Sequence, residues 1–303
     1  WGDSLTNGTG SLTGKPDKET NEDCSYPAVL GRLLGEDFTV KNFGIGGETS
    51  WQIASRQGGM SVAVLPFTLP GETVATAVSL KGQEQDFYYD NATGKWTYDE
   101  DNLSYKFNVG DGSGVNPCKI GGIEGTLTRD GDTYYFTRGE AGNSITFETP
   151  QQLVPFASEA YKNAVHIIWM GQNDAPSHNG QYVMQAGFEE RMQTMIDNIE
   201  SGKYIVADYP SGNNANSAQR VQKCNQKFGK HYLNIRDYIV KYGLSVANSN
   251  GAGLTVSDDD AKRIASGQIP SCLLSDSVHG NYWYYQVVAR AMKEKGVALG
   301  YWS

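Results

Sequence analysis

The sequence predicts an α/β fold, a parallel-sheet three-layer sandwich carrying an inserted β-rich subdomain, and three observations predict it. A nearly unbroken apolar run, AVHIIWM at 164–170, ends in the polar GQND, as strands buried on both faces do. On either side, strand-like runs alternate with apolar residues at helical spacing, a pattern that implies parallel strands with helices covering both faces. Residues 60–155 differ in texture: threonine, tyrosine and glycine dominate and no helical period runs through them. The expected division is therefore 1–59 with 156–303 for the α/β domain and 60–155 for the insert.

The elements follow in order. FTVKNF at 38–43 reads as a short strand that breaks into the glycine-rich GIGGETSWQIASRQGG. Glu48 and Thr49 suit a helix start, Trp51, Ile53 and Ala54 give it an apolar side, and Gly58 and Gly59 stop it. Within 60–155, alternation in LSYKFNV and TYYFTR and the turn signals NATG (91–94) and RDGD (129–132) predict hairpins. After the central strand at 164–170, Phe188, Met192, Met195, Ile196 and Ile199 recur at helical spacing, and KYIVADYP (203–210) reads as the next strand. A polar helix-like stretch at 216–229 leads to YLNIRDYI (232–239), which continues the alternation as a strand. The chain closes with a helix in which Tyr284, Val287, Val288, Ala291 and Met292 share one face.

Composition narrows the function classes. The 303 residues are 39% hydrophobic, ample for a packed core, and carry a formal net charge of −9. Without a basic cluster to neutralise phosphates, nucleic acid is not an expected partner. No apolar run approaches the roughly 20 residues that span a bilayer. Cys24, Cys118, Cys224 and Cys272 are widely spaced and form no C-x-x-C pair, so neither a zinc site nor a redox dithiol is indicated; spacing leaves free thiols and one disulfide both open. His166 lies inside an apolar strand as a core residue, and His178 and His231 sit in polar stretches without metal-ligand spacing. SDDDAK (257–262) fits a helix start, with Ser257 as cap and acidic residues at the positive end of the dipole, better than a cation site.

In a parallel α/β sheet, reactive groups gather at the carboxyl ends of the strands. Four polar clusters fall at such positions: GDSLT at the N-terminus, GGETS, GQND, and SDSVHGN at 275–281 just before the last helix. A nucleophilic serine needs a base within hydrogen-bond reach and a group that orients the base, and Asp276 with His279, three residues apart, supplies both types. Each residue also has an ordinary reading. Ser4 beside Gly2 and Asp3 suits a turn, Gly47 a flexible joint, Asn173 a helix cap and Asp276 an N-cap for the last helix. Asp174 rivals Asp276 as the orienting carboxylate but lacks the short tether to His279.

Taken in order, the four blocks resemble those of the SGNH, or GDSL-type, hydrolase superfamily of serine esterases and lipases, over about 1–59 and 156–303. The resemblance implies a flavodoxin-like parallel sheet, no cofactor, a nucleophile at Ser4, a general base at His279 and an orienting carboxylate at Asp276. It further implies an oxyanion hole made by the N–H groups of Ser4 and Gly47 and the carboxamide of Asn173. In the family the GDSL block ends the first strand, so a strand of about 5–6 residues is expected upstream of Trp1. The expected substrate is a small-molecule or carbohydrate ester, with deacylation of a carbohydrate favoured by the absence of a lid-like apolar stretch and by the tyrosine-rich insert. Short-chain lipid or aryl esters and lysophospholipids are the alternatives within enzymes. A glycan- or partner-binding module on an inactive scaffold is the alternative outside them, and the oligomeric state is left open.

Overall fold

The computed structural model of the protein describes residues 1–82, 87–90, 95–98, 108–174, 177–178, 181–182, 188–210 and 215–303. The chain divides into two compact units, one comprising Trp1–Thr49, Val165–Asp174 and Lys203–Ser303, the other Ser50–Ala164 and Ala175–Gly202. Among the described residues no helix is long and apolar enough to cross a membrane.

In the first unit three strands, His166–Met170, Tyr204–Asp208 and Tyr232–Leu233, run parallel, with His166 opposite Tyr204 and Val206 opposite Tyr232. Gly2 prolongs this sheet through single parallel bridges to Trp169 and to Gly44. The Trp1 ammonium donates to the Ile167 carbonyl at 2.7 Å, and the Trp169 N–H donates to the Trp1 carbonyl at 2.9 Å. Glycine is required at position 2, because a Cβ there would overlap Thr6 Oγ1 and the Trp169 carbonyl oxygen. The helices Tyr26–Leu34, Ile235–Ser249 and Tyr282–Ala298 share one apolar core with Leu5, Trp169, Ile205 and Ala207. Asn281 starts the last helix by accepting from the N–H groups of Trp283 and Tyr284. That helix buries Tyr284, Val287, Val288, Ala291 and Met292 on the face its spacing predicts, each large side chain contributing about 1.5–3 kcal/mol of transfer free energy.

One expected strand is not formed and another is cut short. Residues 38–43 form no ladder, and the sheet is reached only at Gly44, through its bridge to Gly2; Phe43 stacks on Trp1 at 4.3 Å. The run at 232–239 pairs over Tyr232–Leu233 and then turns helical, since Asn234 caps Ile235–Ser249 by accepting from the Asp237 N–H at 3.1 Å. Ile235, Ile239, Gly243 and Ala247 then recur every four residues on the buried side, so a cap and a helical stripe override the β-branched content.

The second unit overturns the expected fold class. The chain is a mixed α/β protein whose main sheet is antiparallel and nearly closed, not a three-layer sandwich built on a parallel sheet. Its seven strands lie in the order Thr76–Val78, Thr133–Arg138, Ile123–Asp130, Cys118–Ile120, Gln151–Val154, Val62–Val64 and Leu80–Gly82. The two outermost, Thr76–Val78 and Leu80–Gly82, are separated in sequence by Ser79 alone, so the edges meet; the Leu65 N–H donates to the Ser79 carbonyl at 2.9 Å. Antiparallel strands need only tight turns whereas parallel ones need crossovers, and this part of the chain is rich in turns. Asp130 stands opposite Thr133 across the two-residue turn within RDGD. NATG lies outside the described residues, as does most of LSYKFNV; the strands flanking NATG, Phe87–Asp90 and Lys95–Tyr98, pair antiparallel. Helices Ser50–Gln57, Phe156–Ala160 and Phe188–Asp197 belong to this unit, whose core includes Ile53, Val64, Leu80, Ile120, Phe136, Met192 and Met195. Arg56 is wholly buried and donates to the Ser113 carbonyl at 2.6 Å.

Candidate active site

The first unit brings four sequence-distant segments to the carboxyl ends of its parallel strands. Directly after Gly2, Asp3 caps a single helical turn, Ser4–Asn7, by accepting from the Leu5 N–H at 2.9 Å, so Ser4 opens that turn. The turn before the last helix supplies the partner. His279 Nε2 lies 2.9 Å from Ser4 Oγ across 275 residues of sequence, and His279 Nδ1 lies 2.8 Å from Asp276 Oδ2. The loop after Ser4 and the turn before the last helix are tied together: Tyr285 Oη donates to the Thr9 carbonyl at 2.7 Å and the Tyr282 N–H to the Thr13 carbonyl at 2.9 Å.

The turn carrying the imidazole is locked by its own backbone. Asp276 Oδ1 accepts from the N–H groups of Val278 and His279, both at 2.7 Å, while the His279 carbonyl accepts from the Ser275 N–H at 2.9 Å. Those backbone donors, led by the His279 N–H, hold the Asp276 carboxyl down to about 2, with the imidazole itself contributing further. Asp276 is consequently ionised at neutral pH and can only accept, so the proton of a neutral imidazole must sit on Nδ1. Nε2 is then a lone pair aimed at the Ser4 hydroxyl. Because 53% of the Asp276 side chain is exposed, its pairing contributes little to stability and acts as an orienting contact. The last helix takes Asn281, not Asp276, as its cap.

Gly47 and Asn173 lie on the two neighbouring loops. Gly47 sits at φ +80°, where a side chain is strained, and a Cβ there would meet nothing within 4 Å, so its backbone borders open space. A Cβ on the adjoining Gly46 would lie 3.9 Å from Ser4 Cβ, which puts this loop beside the hydroxyl. Asn173 Nδ2 donates to the Glu48 carbonyl at 2.9 Å. That bond engages one of the two carboxamide N–H groups and fixes the plane of the other.

The remaining candidates fall elsewhere in the first unit. Asp174 is buried beside Asn173, its N–H donating to the Gly171 carbonyl, while the imidazole is held by Asp276. His166 is buried and stacks against Trp1, and His231 Nδ1 lies 3.1 Å from both the Tyr204 carbonyl and Tyr301 Oη. The side chain of His178 lies outside the described residues. Ser257 caps Asp258–Ala265 by accepting from the Asp260 N–H at 3.0 Å. All four cysteines are free thiols, and burial pushes Cys118 up to about 12 and Cys272 up to about 11, which makes both poor nucleophiles at neutral pH.

One residue beside Ser4 carries more than its sequence signal suggests. Asp3, which reads as an ordinary turn residue, is completely buried, and burial, opposed by the Leu5 N–H and reinforced by the charge of Asp174, raises its carboxyl to about 7. Its position inside the GDSL block is the one sequence feature that marks it.

Comparison of the chain with models of known protein families, with curated proteins and with solved structures finds no match.

Proposed function

We propose that the protein is a serine ester hydrolase working through an acyl-enzyme. The observation that carries this reading is the hydrogen-bonded line from Asp276 Oδ2 through the imidazole of His279 to Ser4 Oγ, at 2.8 and 2.9 Å. Order and roles both fit acyl transfer: an accepting carboxylate fixes the imidazole tautomer, and the free lone pair faces the hydroxyl.

Ser4 Oγ attacks the ester carbonyl carbon while its proton passes to His279 Nε2. The carbonyl oxygen becomes an oxyanion facing the N–H groups of Ser4 and Gly47 and the second carboxamide N–H of Asn173. Collapse breaks the bond to the alcohol, which leaves with the proton from Nε2. Water then repeats the sequence on the acyl-Ser4 ester, giving the carboxylate and restoring the hydroxyl. The motif resemblance to SGNH-type hydrolases supports the same assignment of roles without extending to the fold.

The substrate class we propose is a short-acyl ester of a carbohydrate, on the tyrosine-rich composition that favours stacking against sugar rings. A panel of p-nitrophenyl esters of increasing acyl length, run beside acetylated sugars, tests it. Hydrolysis of short esters and release of acetate from sugars is the expected result. A rate that rises with acyl length points to the lipid esterase instead, and inactivity on every ester points to a binding module.

A further inference from the structure

Asp3 is a buried acid that the acyl-transfer steps do not use. Its Oδ1 accepts from the Leu5 N–H, and the backbone N–H of Gln172 lies against the same carboxyl. Among the described residues its Oδ2 completes no hydrogen bond. The carboxyl thus sits between two backbone segments: the turn that presents the Ser4 hydroxyl and N–H, and the loop on which Asn173 directly follows Gln172. Those segments carry two of the three donors assigned to the oxyanion. Nothing apolar would serve as well, because both backbone groups facing the carboxyl are donors and need an acceptor.

We propose that Asp3 is a positioning residue whose carboxylate holds the Ser4 turn and the Asn173 loop in mutual register. The inference rests on the serine-hydrolase reading for its effect on rate, but the joint itself is a property of the fold. Ionised, the carboxylate turns its charge toward the N–H groups of both segments; protonated at Oδ2, the oxygen that completes no hydrogen bond among the described residues, it loses the charge that strengthens both contacts. The titratable groups whose charge it feels or that feel its charge are Asp174 from the Asn173 loop, Tyr26 from the helix Tyr26–Leu34, and Tyr284 and Tyr285 from the last helix. None of these is a cation that would hold the charge, so burial dominates and the carboxyl titrates at about 7.

Two measurements on the full chain test this. In wild-type protein, the backbone amide resonances of Leu5 and Gln172 are followed by NMR between pH 5 and 9. Both are expected to move with one shared midpoint near pH 7, and neither in Asp3→Asn; amides that stay still or titrate apart overturn the joint whether or not the protein is an enzyme. In kinetics, Asp3→Asn is expected to lower kcat by about 10²-fold at nearly constant KM, the scale of a misplacement near 1 Å. In wild type kcat/KM should fall by about 10²-fold as pH drops through a midpoint near 7, where Asp3 takes up its proton, and that step should be absent in the variant. Unchanged kcat in Asp3→Asn, or a variant that keeps the step near pH 7, overturns the proposal. Co-titrating amides without esterase activity in wild type would instead refute the hydrolase reading and leave the joint standing.

Discussion

At the scale of residues, Asp276 and Asp3 show one side chain type in opposite environments. Asp276 is half exposed and rich in donors, and is held down to about 2. Its task is to fix the imidazole tautomer, so Asp276→Asn, which can turn a donor toward Nδ1, is expected to lower kcat by up to about 10⁴-fold in steady-state assays. A loss confined to KM would contradict that role. Asp3 is buried and raised from 3.8 to about 7, so the folded state binds its proton more tightly than the unfolded chain does. The stability attached to that proton is fully present below pH 3.8 and is lost as pH rises through about 7. Asp3→Asn carries no charge to bury, so relative to the variant the wild type should lose stability, by up to about 4 kcal/mol, between pH 4 and 7 and then level off, as read from urea midpoints. A difference independent of pH would contradict the buried titration. The proximity of Asp276 and His279 was legible because three residues of chain tether them. The burial of Asp3 was not, since aspartate beside glycine and serine reads as a turn and its environment comes from Tyr26, Tyr284 and Tyr285, far along the chain.

At the scale of elements, sequence patterning succeeded where one face of an element meets the core and failed where pairing decides. The last helix and the strand at 164–170 announce themselves through a continuous apolar stripe or run. Residues 38–43 have the strand texture but form no ladder, and 232–239 has β-branched residues but a cap at Asn234. The end of Tyr204–Asp208 shows how the parallel strands are held to the helix behind them. Asp208 Oδ2 accepts from Arg220 Nε at 2.7 Å, its Oδ1 accepts from Tyr232 Oη at 2.7 Å, and the guanidinium lies 3.7 Å from the Tyr209 ring centre. Both members of the ion pair are only 3% exposed. Arg220→Ala would strand a buried carboxylate and is expected to cost about 3–5 kcal/mol in chemical denaturation, whereas Arg220→Met should cost less because it keeps the packing over Tyr209. Equal losses for the two variants would show that the charge, not the packing, carries the network.

At the scale of the whole molecule, composition marked 60–155 as β-rich, but not that its strands make the largest sheet. Sheet size depends on pairings between distant segments, such as Val62–Val64 with Gln151–Val154, and no local period encodes them. The same unit includes the flanking helices, with Arg56 donating to the Ser113 carbonyl and the N–H groups of Phe156 and Ala157 donating to Val115 and Gly114. Replacing 60–155 with a Gly/Ser linker should therefore remove the strands and the Ser113 carbonyl that these helices pack and bond against, and loss of slow amide exchange in Ser50–Gln57 is expected; retained protection there would contradict a shared fold. In the first unit, we propose, Ser4 is a nucleophile activated by His279. Intact-mass and peptide analysis after treatment with a fluorophosphonate tests it most directly. The account predicts one covalent adduct, on Ser4, in folded wild-type protein and none in His279→Ala or in urea-unfolded wild type. Folded wild-type protein that remains unlabelled, or that is labelled equally well without His279, would contradict it.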